Sequence, residues 1–359
     1  LMTTLAPAPL MVSMVQASTS LPLFVLALPA GAFADVFDRR RLLLLTQGWM
    51  LVAAAGLAML TTAGVTGPVL LLVFTFAIGV GSAFNAPAWQ AIVPEIVNRE
   101  ALPAAVALNS AGINLARAIG PALGGLIVAK LGPQAAFGLN ALSFIGVIIV
   151  LYRWPREKPI HSLPSEHLFG AMVAGLRYAR YAAGFRNVLG RAFLFVFPAS
   201  ALWGLLPLLA RQELNLGASG YGILLGAVGL GAVSGAYFLQ RIRKKIGVDK
   251  LTTGATLIYS LVLLGLAMLR HVPLIVVVML ISGAMWITML TALNVSAQSV
   301  AAGWVRARVL SVYLIVFFGS MAIGSIVWGA LANALTMTLV FFIAAAVAFI
   351  GTIANRWLP

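Results

Sequence analysis

The chain has no cysteine, only three histidines and only eight carboxylates in 359 residues. Without cysteine there are no disulfides, thiolate nucleophiles or Cys-ligated metals. The histidines, His161, His167 and His271, are scattered, and no H-E-x-x-H, paired-Asp or Ser/His constellation accompanies them. An enzyme active site therefore has no recognisable carrier. Charge of either sign is scarce at 9% of residues, against roughly 25% in a soluble domain. So few charges cannot cover a globular surface. Filter-like loops and rings of charge, the marks of channels, are absent from the sequence as well.

Apolar residues fill the space that charge leaves. They make up 62% of the chain, and mean hydropathy is +1.05. Runs long enough to cross a bilayer, about 20 residues each, are predicted at 9–34, 42–63, 68–92, 104–130, 134–152, 192–214, 218–240, 251–269, 272–299, 309–333 and 336–357. Leu1 to Ala6 reads as the tail of a further helix, so the expectation is an all-α bundle of twelve membrane helices with helix 1 largely missing. Such a fragment is expected not to work alone.

The net charge of +15 does not indicate nucleic acid, because the basic residues sit in short loops and form no basic face. They follow the positive-inside pattern instead. Lys130, Arg211 and Arg270 fall on one side and Arg117 within a helix, while the rest of the 23 fall on the other. That side, with the C-terminus, is predicted to be cytoplasmic. The longest connection divides the chain into residues 1–152 (end of helix 1 to helix 6), a basic linker 153–191, and residues 192–359 (helices 7–12). Pro155, Pro159 and Pro164 interrupt the start of the linker. Its later part, 168–185, is predicted to be a basic amphipathic helix, with Arg177, Arg180 and Arg186 nearby to meet lipid headgroups.

The loop after helix 2 reads Gly31-Ala32-Phe33-Ala34-Asp35-Val36-Phe37-Asp38-Arg39-Arg40-Arg41. It is echoed 204 residues later by Gly235, Arg243, Lys244 and Lys245; at the same offset Ala118-Ile119-Gly120 matches Ala322-Ile323-Gly324, and Gly125 matches Gly329. Two related halves of this kind are a known plan of secondary transporters. Together with Asn85-Ala86-Pro87-Ala88, Val93-Pro94-Glu95, Gly120-Pro121-Ala122-Leu123-Gly124-Gly125 and Arg306-Ala307-Arg308-Val309, the motif resembles the major facilitator superfamily. Within it, the resemblance is to the efflux branch of the enterobactin exporters and transmembrane secretion effectors. Val36 and Arg39 depart from the usual motif, which has a basic residue and a glycine at those places.

The resemblance implies a six-plus-six bundle that exports a small amphipathic compound, siderophore or drug-like, by alternating access. Import of a small metabolite is the alternative. It also implies that Asp35 locks the halves in one state against helix 11, with Arg306 or Arg308 as partner. From the residues alone, Asp35 and Asp38 can equally be offsets to the adjoining arginines.

Arg117 lies deep in helix 5, where an unpaired lipid-facing charge costs about 2.5–3.5 kcal/mol. It is expected to face a cavity or a polar partner. Gln16, Asn85, Trp89, Asn109, Asn114, Thr291, Asn294 and Gln298 form polar stripes that either line a path or bond between helices. Gly120, Pro121, Gly124 and Gly125 form a kinked small-residue face, as do Gly222, Gly226, Gly229, Gly231 and Gly235 on helix 8. Trp203, Trp286 and Trp328 are candidates to stack a solute. Mid-span carboxylates are absent, so a proton gradient as driving force is inherited from the resemblance, and no cofactor or metal is expected. A monomer in the bacterial inner membrane, with a small-molecule substrate, completes the expectation.

Overall fold

The computed structural model describes every residue except 99, 155–176, 179, 244–245, 301–305 and 355–359. The described residues form helices and no strand: α1 Met2–Leu5, α2 Pro9–Val36, α3 Arg39–Thr62, α4 Pro68–Ile96, α5 Leu102–Leu131, α6 Pro133–Arg153, α7 Ala183–Leu208, α8 Ala218–Arg243, α9 Val248–Met268, α10 Val272–Val300, α11 Arg306–Ala334 and α12 Met337–Ala354. Proline in the first turn opens α2, α4, α5 and α6, where its missing N–H would have no partner in any case. Gly132, at φ +82°, breaks the path between α5 and α6. Asp38 caps α3 by accepting a 2.9 Å bond from the Arg41 N–H. It is thus a cap, and more than an offset to its neighbours.

Among the described residues, ten helices are long and apolar enough to cross a membrane; α5, the span predicted at 104–130, is the long helix not among them. The side chains show which surface the lipid takes. On α3, Leu43, Met50, Ala54 and Leu57 are buried, while Leu45, Trp49, Val52 and Met59 stand more than half exposed. In water such a stripe would drive aggregation; against acyl chains it carries no cost.

Helix 7 starts earlier than its sequence indicated. The apolar run begins near 192, yet α7 begins at Ala183 and carries Arg186 and Arg191. Arg191 forms an ion pair with Asp249 at the start of α9, which offsets the burial of its guanidinium. Most of the predicted 168–185 amphipathic helix lies outside the described residues. At its other end α7 runs into a π-helical turn, Leu209–Glu213.

Helices α2, α3, α4 and α6 pack among themselves, as do α7 with α11 and α12, α8 with α10, and α9 with α10 and α12. The two groups meet mainly along α2–α11 and α5–α8, with α2 also against α7. Side-chain bonds identify the two faces. On one, Arg39 and Arg40 reach α4 and α6, Arg191 reaches α9, and Tyr178 donates to the Val300 carbonyl at 2.8 Å. This is the basic face. On the far face, Leu10 N–H donates to Asn333 at 3.3 Å, and Arg211 to Thr3 and Thr4.

Burial is uneven between the groups. The principal core spreads through α7 and α9–α12, where Trp286 meets Phe195, Trp203, Tyr259 and Phe317 with ring centroids 5.0–6.5 Å apart among the cluster. Leu43, Ala88, Ile92 and Leu151 make a small satellite core near the basic face of the first group.

Candidate functional site: the seams between the halves and the charges beside them

The α2–α11 seam runs antiparallel over the length of both helices. Gly31 lies against Ser311, Gly319 under the Phe24 ring, and Gly329 against Ser13 and Leu10. A methyl added to Gly329 would lie 2.8 Å from Ser13 Cβ and 3.2 Å from Leu10 Cα. Small residues therefore set the spacing, and side chains from the partner fill it.

The α5–α8 seam is closer. A methyl on Gly125 would lie 2.6 Å from the Ala218 carbonyl oxygen and 2.9 Å from Gly222 Cα. On Gly222 it would lie 2.8 Å from the Pro121 carbonyl, and on Gly229 2.5 Å from Ala118 Cα. Here backbone meets backbone. Of the predicted packing motif, Gly125 and the Pro121 carbonyl make the contact, while Gly120 and Gly124 have open space beside them. The glycines of α8 divide between two partners: Gly222, Gly226 and Gly229 face α5, whereas Gly231 and Gly235 press on Leu280 and Ala284 of α10.

Arg117 sits at the end of this seam nearer the basic face. Its carbonyl lies against Gly229 while its side chain is exposed. Apolar α5 surface surrounds it, with Ile113 at 44% and Ile119 at 45% exposure. On the far face, a cavity of about 950 Å³ opens between the halves; Thr3, Pro121, Gly124, Arg211 and Tyr221 are among its lining residues. Arg211 there donates to Thr4 Oγ1 at 2.8 Å and Thr3 Oγ1 at 3.2 Å.

The loop arginines do specific work on the basic face. Arg39 Nη1 donates to Glu95 at 2.7 Å and to the Ala91 carbonyl at 3.0 Å. Arg40 donates to the Leu151 carbonyl at 2.8 Å and to the Tyr152 carbonyl. Both arginines thus meet the negative C-terminal ends of α4 and α6, where a cation is favoured. Together they clamp three helices at one end. The Arg41 side chain is exposed. The side chains of Asp35 and Arg306 lie outside the described residues, and Arg308 is partly buried at the start of α11.

The predicted polar positions do not converge on one point. Trp89 Nε1 donates to Asn109 Oδ1 at 3.5 Å, linking α4 to α5. Asn85 Oδ1 accepts from Thr46 at 3.3 Å and Gln47 at 3.1 Å, joining α4 to α3. Gln16 donates to Ser20, and Gln298 to Asn294, each within its own helix. Thr291 is partly buried on α10, and the Asn114 side chain lies outside the described residues. Trp328 is buried and donates to the Phe197 carbonyl at 2.8 Å, so it belongs to the core and stacks no solute.

Several ion pairs of the structure are not apparent from the sequence pattern. They are Arg39–Glu95, Arg191–Asp249, and Arg270–Glu213 at 2.9 Å, where Arg270 also bonds Thr338 and three carbonyls ending α9. A signal existed: with eight carboxylates in the chain, each one at a helix end is a candidate partner for one particular arginine. Among the described residues, no group of three or more metal-ligating side chains occurs.

Known proteins similar to this chain include transporters, exporters and an efflux pump. Residues 1–358 match the family described as transmembrane secretion effector. The staphyloferrin A transporter of Staphylococcus aureus is 25% identical over 297 residues, 82% of this chain and 74% of that protein. The multidrug efflux pump Tap of Mycolicibacterium fortuitum is 28% identical over 343 residues, 90% of this chain and 80% of the pump. The enterobactin exporter EntS of Salmonella typhi is 30% identical over 218 residues, 60% of this chain and about half, 51%, of the exporter. The fold resembles that of a solved bacterial homologue of the lysosomal transporter Spinster, with a TM-score of 0.72 at 14% identity, covering 100% of this chain and 92% of that one. It also resembles a POT family transporter solved with 5-aminolevulinic acid, with a TM-score of 0.74 at 15% identity, covering 96% and 86%. Paired helix groups, two small-residue seams, a lipid-facing surface and these relatives agree: the chain is a multi-pass membrane transporter of the major facilitator superfamily, and it belongs to the transmembrane secretion effector family.

Proposed function

We propose that this transporter exports small amphipathic, anionic solutes by alternating access, with the basic face in the cytoplasm. Arg117 carries this reading. It is an exposed cation in apolar surroundings at the seam of the two halves, and a charge so placed is favoured where an anion or water meets it. Among its relatives an enterobactin exporter and a multidrug efflux pump support an organic solute moved outward. The basic face fits the cytoplasm by the positive-inside rule. Rocking of the halves about the two seams supplies the access change.

The gate proposed for Asp35 rests on the family resemblance, and the antiparallel pairing of Gly31 with Ser311 on α2 and α11 supports it. Its carboxylate favours closure of the basic face by pairing with Arg306 or Arg308, and losing the pair lets the halves part. Proton coupling, monomeric operation and a path with no bound cofactor complete the proposal.

The test uses proteoliposomes that hold the full-length transporter and are loaded with an anionic amphipathic fluorophore. Saturable counterflow by the wild type, falling about tenfold in Arg117→Ala with the fold retained, is the expected result. A cationic dye moved equally by both proteins, with the anionic probe ignored, would overturn the anion reading.

A further inference from the structure

On the basic face of the second group, α8, α9 and α10 leave a groove of about 460 Å³ between them. It is lined by apolar or small side chains, among them Phe238, Gly254, Ile258 and Met285, with Lys250 beside them in the first turn of α9. The groove arises because α8 and α10 are drawn together at Gly231–Leu280 and Gly235–Ala284, while Gly254 on α9 offers no side chain to fill the gap. A Cβ at Gly254 meets nothing within 4 Å.

The charges at its mouth are unequal. Asp249, next to Lys250, is held in an ion pair by Arg191. Lys250 is exposed and forms no ion pair among the described residues. The local balance is therefore one available cation above an apolar slot. The sequence adds Arg241, Arg243, Lys244 and Lys245 just ahead of it, whose side chains lie outside the described ones.

We infer that this groove binds an anionic phospholipid, with an acyl chain along α8, α9 and α10 and the headgroup phosphate on Lys250. An apolar slot ending at a cation is complementary to a molecule with an apolar tail and an anionic head. Basic pockets between helices are where such headgroups are held. The lipid would hold α8 and α9 together at one end, next to the helix that carries one side of the α5–α8 seam. Placement in the inner leaflet rests on the orientation proposed above; the headgroup preference does not, and is measured without transport.

The experiment is native mass spectrometry of the purified full chain, titrated with phosphatidylglycerol and with phosphatidylcholine of the same acyl chains. The wild type is expected to retain one phosphatidylglycerol about fivefold more strongly than phosphatidylcholine, the ratio that one lysine near an anionic headgroup gives. Lys250→Gln should abolish that preference while still binding both lipids weakly. Gly254→Leu, whose side chain enters open space in the groove, should lower retention of both lipids without unfolding the bundle, as circular dichroism checks. Equal retention of the two headgroups by the wild type, or a preference that survives Lys250→Gln, would sink the proposal. So would unchanged binding in a folded Gly254→Leu. Displacement of the phospholipid by a transported fluorophore at equal concentration would reassign the groove to substrate and equally overturn it.

Discussion

The two seams between the halves are built on different rules. Along α2–α11 the glycines mainly face side chains: Gly319 meets the Phe24 ring, Gly31 the Ser311 hydroxyl, and Gly329 the Ser13 side chain, with Leu10 Cα farther off. Along α5–α8 the glycines face backbone, with Gly125, Gly222 and Gly229 pressed on carbonyls and Cα atoms of the other helix. A side chain can change rotamer when the halves shift; a backbone cannot. The first seam therefore tolerates small adjustments over its whole length, while the second is a tight contact that either stays seated or parts. Bistable contacts of the second kind are what turn a small bias into a discrete change of state. In the proposed mechanism Arg117, at the basic-face end of the tight seam, is the residue that senses which state is occupied.

The absence of cysteine makes the sharpest test straightforward. A Cβ on Gly226 would lie 3.5 Å from Ala122 Cβ, within the range a disulfide accepts. Oxidising Ala122→Cys with Gly226→Cys should stop turnover, and a reductant should restore it. Transport that continues with the bond formed would mean that the tight seam never opens. Next in size is Gly125→Ala. Its methyl has to displace backbone, so overpacking should lower stability by about 1–3 kcal/mol in chemical unfolding. Gly124→Ala, one residue away with open space beside it, should change little. Equal effects from the two would show that the seam does not set the cost, since helix propensity favours alanine over glycine at both positions.

Asp35→Asn tests the basic-face end of the looser seam. Turnover should fall severalfold in the counterflow assay with thermal stability within about 1 kcal/mol of wild type, because a single ion pair at a helix end contributes little to folding. Unchanged transport would leave the loop with its clamp and topology roles alone. The smallest effect is expected for Gly319→Ala. The added methyl meets only the rim of the Phe24 ring, 2.8 Å away, and the ring can swing aside at a cost below about 1 kcal/mol. A loss as large as that of Gly125→Ala would erase the distinction between the seams.

Much of this was legible beforehand. The positions of the long helices follow from apolar runs alone, because a bilayer leaves a segment no other way to satisfy its backbone. Helix 7 was the exception. Its first nine residues carry Arg186 and Arg191 and look like loop until Asp249, 58 residues away, is seen to hold Arg191. The same holds for Arg39 and Arg40, whose basic character was plain but whose targets, the carbonyls closing α4 and α6, are set only when those helix ends converge. The polar stripes were weaker guides. An amide on a helix face reads the same whether it bonds its own helix, as Gln298 does, or a neighbour, as Asn85 does.

The sequence by itself determined the solvent of this protein, the number and order of its long helices, their alternation across the membrane and the repeat that relates the halves. Those properties are local or compositional: hydropathy, length and the spacing of charges fix them before any two helices touch. Tertiary structure alone decided which glycines of α8 meet α5 and which meet α10, since both sets share one helix and one residue type and differ only in which face a neighbour occupies. It also decided which arginine serves which carboxylate. Such pairings depend on helix ends that lie far apart in the chain, and only packing brings them within reach.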